Sequence, residues 1–259
     1  MRSRAWHAAR VTRIHLDGRW HITGHLNGGY LAAVCGHAAA EALGGGSPFT
    51  ISTHYLAPVR GAGPADAEVE VLREGRLSTA RVSLRREGVL LLESLVTVGT
   101  PKAHEAVRED APVPEFPAWE DCVDSGSSPF AEQPGNDVLR HVELRLDPTH
   151  APAIAGGPPL EKAVVRGRIA YRDGGAADVF LATAAWDLLP PTPWFVHLWT
   201  GAPTVAAQVV LYPGELRGPL VLEARTETIR DGVADETARI WDARGHLVAS
   251  SRQTAILTG

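Results

Sequence analysis

The stretch from Gly29 to about Leu43 places the strongest constraint on how this chain can fold. It consists almost entirely of Ala, Leu and Val, so a helix formed by it is apolar nearly all round. A run of glycines at 44–46 follows it, which is typical of a helix end. A helix without a polar face is usually enclosed by other elements rather than laid on a surface. The rest of the chain is therefore expected to cover it.

Segments of alternating apolar and polar residues follow this helix, and turns that contain glycine separate them. Such alternation predicts strands, and the short glycine turns predict that these strands pair as an antiparallel meander. The predicted strands of this first part span residues 49–58, 67–75, 77–88 and 89–99.

The second part of the chain repeats this plan. A helix is predicted over 178–189, where two prolines stop it, and four alternating segments follow. Gly75 and Gly88 are 13 residues apart in the first part, as are Gly232 and Gly245 in the second. The predicted strands of the second part span 141–148, 164–174, 203–214, 219–232, 234–245 and 246–257.

A unit of one helix and one meander that occurs twice predicts an α+β protein. An apolar helix beside a single sheet has to be covered by that sheet, so each half is predicted as a sheet curled around its helix. Two unrelated α+β domains are the alternative. The stretch 101–135 is rich in proline, serine and acidic residues and has no clean period, so it is predicted to connect the halves. The predicted divisions are an N-terminal half at 1–110, a linker at 111–136 and a C-terminal half at 137–259.

Composition excludes several classes of function. Hydrophobic residues make up 44% of the chain and charged residues 21%, which is enough to bury a core. The net charge of −5, without any basic cluster, argues against a nucleic-acid partner. No window holds the roughly 20 apolar residues of a membrane span, and no signal peptide is evident. Two cysteines are too few for a disulfide framework or a four-ligand zinc site, so we expect no metal and a cytoplasmic location.

Particular phrases in both halves resemble the double hot-dog acyl-CoA thioesterases of the thioesterase II type. In the first half they are HLNGGYLAA at 25–33, THYLAPVRGAG at 53–63 and VLREGRLSTARVSL at 71–84. In the second half they are AAWDLLPP at 184–191, APTVAAQVVLYPG at 202–214 and IWDARGHLVASSRQTAIL at 240–257. The resemblance implies two tandem hot-dog halves that form one continuous curved antiparallel sheet wrapped around two central helices.

The same resemblance implies an activity and a catalytic set. Members of the family hydrolyse acyl-CoA thioesters to the free acid and CoA without a cofactor, using an Asp, a Thr or Ser, and a Gln. By motif these are Asp187, Thr204 and Gln253. An overlay of the halves places Val96 opposite Gln253, so the first half carries no copy of the set and one site per chain is expected.

The residues themselves favour attack by water over a covalent route. No GxSxG motif is present, and Cys35 and Cys122 have no evident activating base. Asp187 would then orient the water and act as general base. Because a carboxylate in an apolar stretch is costly to bury alone, Thr204 and Gln253 are predicted to be its partners and to hold the water.

Substrate contacts are predicted at the start of the first helix. The Gly28, Gly29 and Tyr30 N–H groups lie where a helix leaves its donors unsatisfied, so they are the predicted oxyanion donors. His25 and Asn27, just before them, are predicted to contact the substrate. Trp186, Trp194 and Trp199 flank the second-half site, where they line an acyl pocket or pack between the halves.

Other interpretations remain open at this point. One makes Asp187 an exposed residue at a helix end and Thr204 an ordinary strand former. A non-catalytic acyl-CoA or acyl-chain binding protein of the same fold is one alternative function. Hydration of an enoyl thioester, with Asp17 and His21, is another. Open sheet edges invite pairing, so a homo-oligomer, most simply a dimer, is expected.

Overall fold

The computed structural model describes residues 9–101, 108, 112–198 and 201–258. The predicted boundary between residues 110 and 111, and the predicted pocket residue Trp199, lie outside the described residues. No helix within these ranges is long and apolar enough to cross a membrane.

Strands dominate the described part of the chain. In chain order they are β1 (Arg10–Leu16), β2 (His21–Ile22), β3 (His25–Leu26), β4 (Pro48–Tyr55), β5 (Gly63–Arg73), β6 (Leu77–Arg86), β7 (Val89–Gly99), β8 (Val123–Asp124), β9 (Val142–Leu146), β10 (Val164–Tyr171), β11 (Thr204–Leu211), β12 (Leu220–Arg230), β13 (Val233–Trp241) and β14 (Leu247–Ile256). The helices are α1 (Gly28–Ala42), α2 (Pro129–Glu132), α3 (Val138–His141), α4 (Ala151–Ile154) and α5 (Val179–Ala184).

Twelve of these strands form one antiparallel sheet. Its order is β1-β5-β6-β7-β4-β11-β14-β13-β12-β10-β9-β8, and β2 pairs with β3 separately. The first half supplies the first five strands in this order, which are β1, β5, β6, β7 and β4, and the second half supplies the other seven. The halves join at the centre, where β4 pairs with β11 from Ala206 beside His54 to Val210 beside Thr50. The predicted α+β class is confirmed, with two meanders fused along this central seam.

Helix α1 fills the inside of the first half because small residues cover most of its surface. Asn27 caps its start by accepting a hydrogen bond from the Tyr30 N–H, and ten of its 15 residues are buried. One side of α1 packs on β4, β5, β6 and β7, and another packs on α5 of the second half. The apolar all-round pattern in the sequence is explained by this double enclosure.

Inward-facing residues alternate with outward-facing ones along the strands, as the sequence pattern predicts. In β6, for example, Ala80, Val82 and Leu84 are fully buried, whereas Arg81 between them is exposed. The two helices and these inner faces form one continuous core.

Three parts of the fold differ from the sequence prediction. The pattern does not predict β1, because RVTRIHL is an edge strand that exposes residues on both faces and lacks alternation. The helix predicted over 178–189 ends earlier, at Ala184, and continues as a 3-10 turn at Ala185–Asp187. The predicted linker contains α2 and the short strand β8, which extends the sheet beyond β9.

Candidate active site

Asp187 lies at the junction of the two halves, at the end of the 3-10 turn that follows α5. Its Oδ2 accepts hydrogen bonds from Asn27 Nδ2 at 2.9 Å and from the Gly29 N–H at 3.1 Å. The Asn27 amide also donates to the Asp187 main-chain carbonyl at 2.6 Å. A carboxylate from the second half therefore sits at the start of a helix from the first half, where the helix dipole favours negative charge.

This environment changes the acidity of Asp187. Burial raises the pKa of its carboxyl from 3.8 to about 7, although the Gly29 and Gly28 N–H groups favour the charged form. The nearby carboxylate of Glu236 raises the pKa further. As a whole residue Asp187 is partly buried. A carboxylate with a pKa of about 7 is well suited to act as a general base near neutral pH.

The glycine pair that begins α1, Gly28 and Gly29, is explained by close packing. A Cβ on Gly29 would overlap the Ala184 carbonyl at the end of α5. A Cβ on Gly28 would lie 3.0 Å from Asp187 Oδ2 and 3.4 Å from the Tyr55 ring. Only glycine lets the start of α1 approach the end of α5 and its carboxylate this closely.

Thr204 and Gln253 belong to a second hydrogen-bonded group on the inner face of the sheet. Thr204, at the start of β11, donates from Oγ1 to Gln253 Oε1 at 2.5 Å. Gln253, on β14, donates from Nε2 to Glu236 Oε1 on β13 at 2.6 Å. Thr192 donates to the other oxygen of Glu236, from Oγ1 at 2.6 Å and from its N–H at 3.3 Å.

The predicted direct partnership of Asp187 with Thr204 and Gln253 is wrong. Among the residues that the structure describes, no hydrogen bond joins Asp187 to either of them. Its partners are Asn27 and Gly29, because the start of α1 packs directly against the carboxylate. The two groups are linked through the electrostatic influence of Glu236 on Asp187. The alternative that Asp187 is a plain exposed helix end is also contradicted by its burial.

The groups predicted to contact substrate are largely occupied by the protein. The Tyr30 N–H is taken by the Asn27 cap, and the Gly29 N–H by Asp187. Asn27 is buried, and the Tyr30 ring stacks on Trp20 while its hydroxyl accepts from the Asp17 N–H at 2.7 Å. These residues position Asp187 and the core, which the sequence pattern could not distinguish from substrate binding.

Within the described ranges, neither His25 nor Trp186 makes a hydrogen bond to Asp187, Thr204 or Gln253. His25 Nδ1 lies 3.1 Å from the Thr23 carbonyl, within the β2–β3 hairpin. Trp186 is 1% exposed, which favours packing between the halves over the lining of an acyl pocket. Its buried indole N–H has no partner among the described residues.

Sequence reasoning missed two residues of the site, Glu236 and Tyr55. The Tyr55 hydroxyl donates to the Gly28 carbonyl at 2.7 Å, and burial together with the Asp187 charge raises the pKa of its phenol. Glu236 is buried on the inner face of β13. A signal for it existed: strand alternation in ADETARIW places Glu236 on the face of Ala234, Ala238 and Ile240.

Other chemistry finds less support. Burial raises the pKa of the Cys35 thiol to about 12, so it is a poor nucleophile. Asp17 is paired with Arg19, and His21 lies beside Asp137, so the two residues suggested for hydration point to other partners. Within the described ranges, no cluster of three or more His, Cys, Asp or Glu side chains has the geometry of a metal site.

Two meanders joined at a central seam, each enclosing one helix, together with a half-buried carboxylate between the helices, define a double hot-dog protein. Comparison with known sequences agrees: residues 16–99 match the acyl-CoA thioesterase N-terminal domain, and residues 109–257 match the acyl-CoA thioesterase C-terminal domain. The chain belongs to the acyl-CoA thioesterase family.

Similar proteins extend over nearly the whole chain. The structure of a candidate thioesterase II from Thermobifida fusca is 30% identical, covers 96% of this chain and 92% of its own, and superposes with a TM-score of 0.85. A protein with the hot-dog fold from Alicyclobacillus acidocaldarius is 18% identical and covers 96% and 94%, with a TM-score of 0.81. An uncharacterized protein of Mycobacterium tuberculosis is 27% identical over 96% of this chain and 92% of its own length. The predicted double hot-dog fold is confirmed.

Proposed function

We propose that this protein hydrolyses acyl-CoA thioesters and that Asp187 is the general base. The observation that carries the proposal is the state of the Asp187 carboxyl group. The Asn27 amide and the Gly29 N–H both donate to its Oδ2, and its pKa is about 7. We assign to Oδ1, which neither of these two donors contacts, the hydrogen bond from a water molecule and the removal of its proton.

The proposed reaction begins with that water. Asp187 removes one proton as the water oxygen attacks the thioester carbon, and a tetrahedral intermediate forms. The C–S bond then breaks, and the proton passes from Asp187 to the departing sulfur. The products are the free acid and CoA, and no cofactor takes part.

Thr204 and Gln253 are proposed to position the reactants. Thr204 Oγ1 donates its proton to Gln253, so its lone pairs are left to accept a hydrogen bond from the water. Gln253 uses one N–H on Glu236 and has a second one. We assign that second N–H to the oxygen of the thioester carbonyl, in place of the occupied Gly29 and Tyr30 N–H groups.

The direct test is release of free thiol from a panel of acyl-CoAs of increasing chain length. We expect the wild-type protein to release thiol from at least one member, and Asp187→Asn to lower kcat by about 100-fold or more. Asp178→Asn is the matched control, because Asp178 caps the start of α5 and Asn is an equally good cap. The control should keep wild-type turnover.

Turnover and binding separate this proposal from its main rival. A non-catalytic acyl-CoA binding protein would bind members of the panel, measured by calorimetry, without releasing thiol from any of them. Unchanged turnover in Asp187→Asn would instead refute the role of Asp187 while leaving the activity in place.

We also propose that the protein is a homodimer and that it is located in the cytoplasm. Among the described strands, β1 and β8 form the two edges of the sheet, and Val11 on β1 is largely exposed. Strand edges of this kind favour pairing with a second copy. Light scattering coupled to size-exclusion chromatography tests this, and a monomer mass would contradict it.

A further inference from the structure

Three polar residues cross the inner face of the second half in register. Gln253 on β14 is beside Glu236 on β13, and Glu236 is beside Thr226 on β12. In the first half the sheet has apolar residues in the matching register, where Val96 is beside Ala80 and Ala80 is beside Val71. The carboxylate of Glu236 is thus placed in a layer that the fold can fill with small apolar residues.

In all of its hydrogen bonds Glu236 is the acceptor. Gln253 Nε2 and the N–H and hydroxyl of Thr192 converge on its two oxygens. The Thr192 hydroxyl also lies 2.7 Å from the Thr226 hydroxyl. Burial raises the pKa of the Glu236 carboxyl, and the hydrogen bonds from Thr192 and Gln253 favour its ionised form. In that form it only accepts hydrogen bonds, so each of the three groups has to be the donor. Three donors also compensate the cost of burying the charge.

The same donor–acceptor order continues through Gln253 to Thr204. A carboxamide has a donor end and an acceptor end, and Glu236 can pair only with the donor end of Gln253. The acceptor end then faces Thr204, whose hydroxyl has to donate to it. The Thr204 hydroxyl proton is used in this hydrogen bond, and only the lone pairs of Oγ1 remain for other partners.

We infer that Glu236 is a positioning residue that holds the Gln253 carboxamide in one orientation and thereby makes Thr204 an acceptor for the attacking water. The inference rests on the proposed hydrolytic function for its catalytic consequence, and on geometry alone for the orientation of Gln253. Without the carboxylate, the Gln253 amide can rotate by half a turn. The Thr204 proton would then be free to point at the water oxygen that has to attack.

Glu236→Gln tests the catalytic consequence because it keeps the shape of the side chain and removes its acceptor-only character. We expect kcat to fall by about 10- to 100-fold, as for other losses of positioning, with KM and melting temperature close to wild type. Glu223→Gln is the matched control. Glu223 is also a buried carboxylate, on β12, but its partners are Arg166 and Arg225, so kcat should be unchanged. An unchanged kcat in Glu236→Gln overturns the catalytic consequence.

Side-chain NMR of the wild-type protein tests the orientation without relying on activity. The Gln253 carboxamide signal is identified by its loss in Gln253→Ala. Because a charge-assisted hydrogen bond is short and strong, one of its two protons should resonate at low field and exchange slowly with water. In Glu236→Gln that proton should move to higher field.

The outcomes remain distinguishable from a failure of the proposed function. If no acyl-CoA is hydrolysed by the wild-type protein, the hydrolytic function fails and the NMR result alone decides the role of Glu236. If Glu236→Gln does not fold, the wild-type spectrum still decides. Two equivalent, rapidly exchanging Gln253 protons overturn the inference in every case.

Discussion

Asp187→Asn should change the pH dependence of stability as well as the rate of catalysis. The folded protein holds the Asp187 proton up to a pH of about 7, whereas the unfolded chain loses it near 3.8. Between these values the native state binds the proton more tightly than the unfolded state does. The free energy of unfolding of the wild-type protein therefore falls as the pH rises through this window. The asparagine side chain cannot titrate, so the variant lacks this contribution.

The size of the effect follows from the two pKa values. Each unit of difference corresponds to about 1.4 kcal/mol, so the step from 3.8 to about 7 amounts to roughly 4 kcal/mol. The stability of Asp187→Asn relative to wild type should thus increase by up to roughly 4 kcal/mol between about pH 4 and pH 8. The other titratable groups are common to both proteins, and they largely cancel in the difference.

Urea denaturation of both proteins at several pH values measures this difference, with equal slopes confirming a two-state comparison. Asp178→Asn again serves as the control, since it conserves the cap of α5. A difference between Asp187→Asn and wild type that stays constant with pH would refute the reasoning, because it would mean that the fold does not perturb the Asp187 carboxyl.

Three further predictions follow from the same site. The rate of thioester hydrolysis should rise with pH through an apparent pKa of about 7 and fall about tenfold per unit below it, measured as kcat/KM against pH; a flat profile down to about pH 5 would contradict Asp187 as base. Gly29→Ala should destabilise the protein by about 1–3 kcal/mol, seen as a lower melting temperature, because the new methyl group overlaps the Ala184 carbonyl; an unchanged melting temperature would show that α1 and α5 can separate freely. Asn27→Ala removes both the cap of α1 and a partner of Asp187, so it should cost about 1–2 kcal/mol in urea denaturation and also lower kcat; loss of stability with unchanged kcat would limit Asn27 to capping.

The sequence predicts most of the sheet because the fold repeats a simple pattern. Alternation between glycine turns locates β4 to β7 and β11 to β14 to within a few residues, and the apolar α1 requires a cover. The edge strand β1 escapes this reasoning, since its first four residues are exposed on both faces and only Ile14 and Leu16 reach the core. The sequence pattern also does not predict the bulge between Thr226 and Thr228, within β12.

The candidate site was only partly predictable, because its geometry depends on how the two halves dock. Motif resemblance indicated Asp187, Thr204 and Gln253, and their roles remain proposals. No local pattern could reveal that Asn27 and Gly29, more than 150 residues away, are the partners of Asp187. Glu236 was visible as a charged residue on an inward face, yet its meaning depends on the neighbouring strand that carries Gln253.

The seam between β4 and β11 has a consequence for how this gene could be rearranged. Asn27 and Gly29 come from one half, Asp187 from the other, and hydrogen bonds across the seam hold them in register. In its sheet the chain resembles two unequal subunits joined in one polypeptide. A cut in the linker would break none of these contacts, so we expect two separately translated halves to reassemble the site. Either half alone lacks the site residues of the other half. Changes in one half should therefore be matched by changes in the other during evolution.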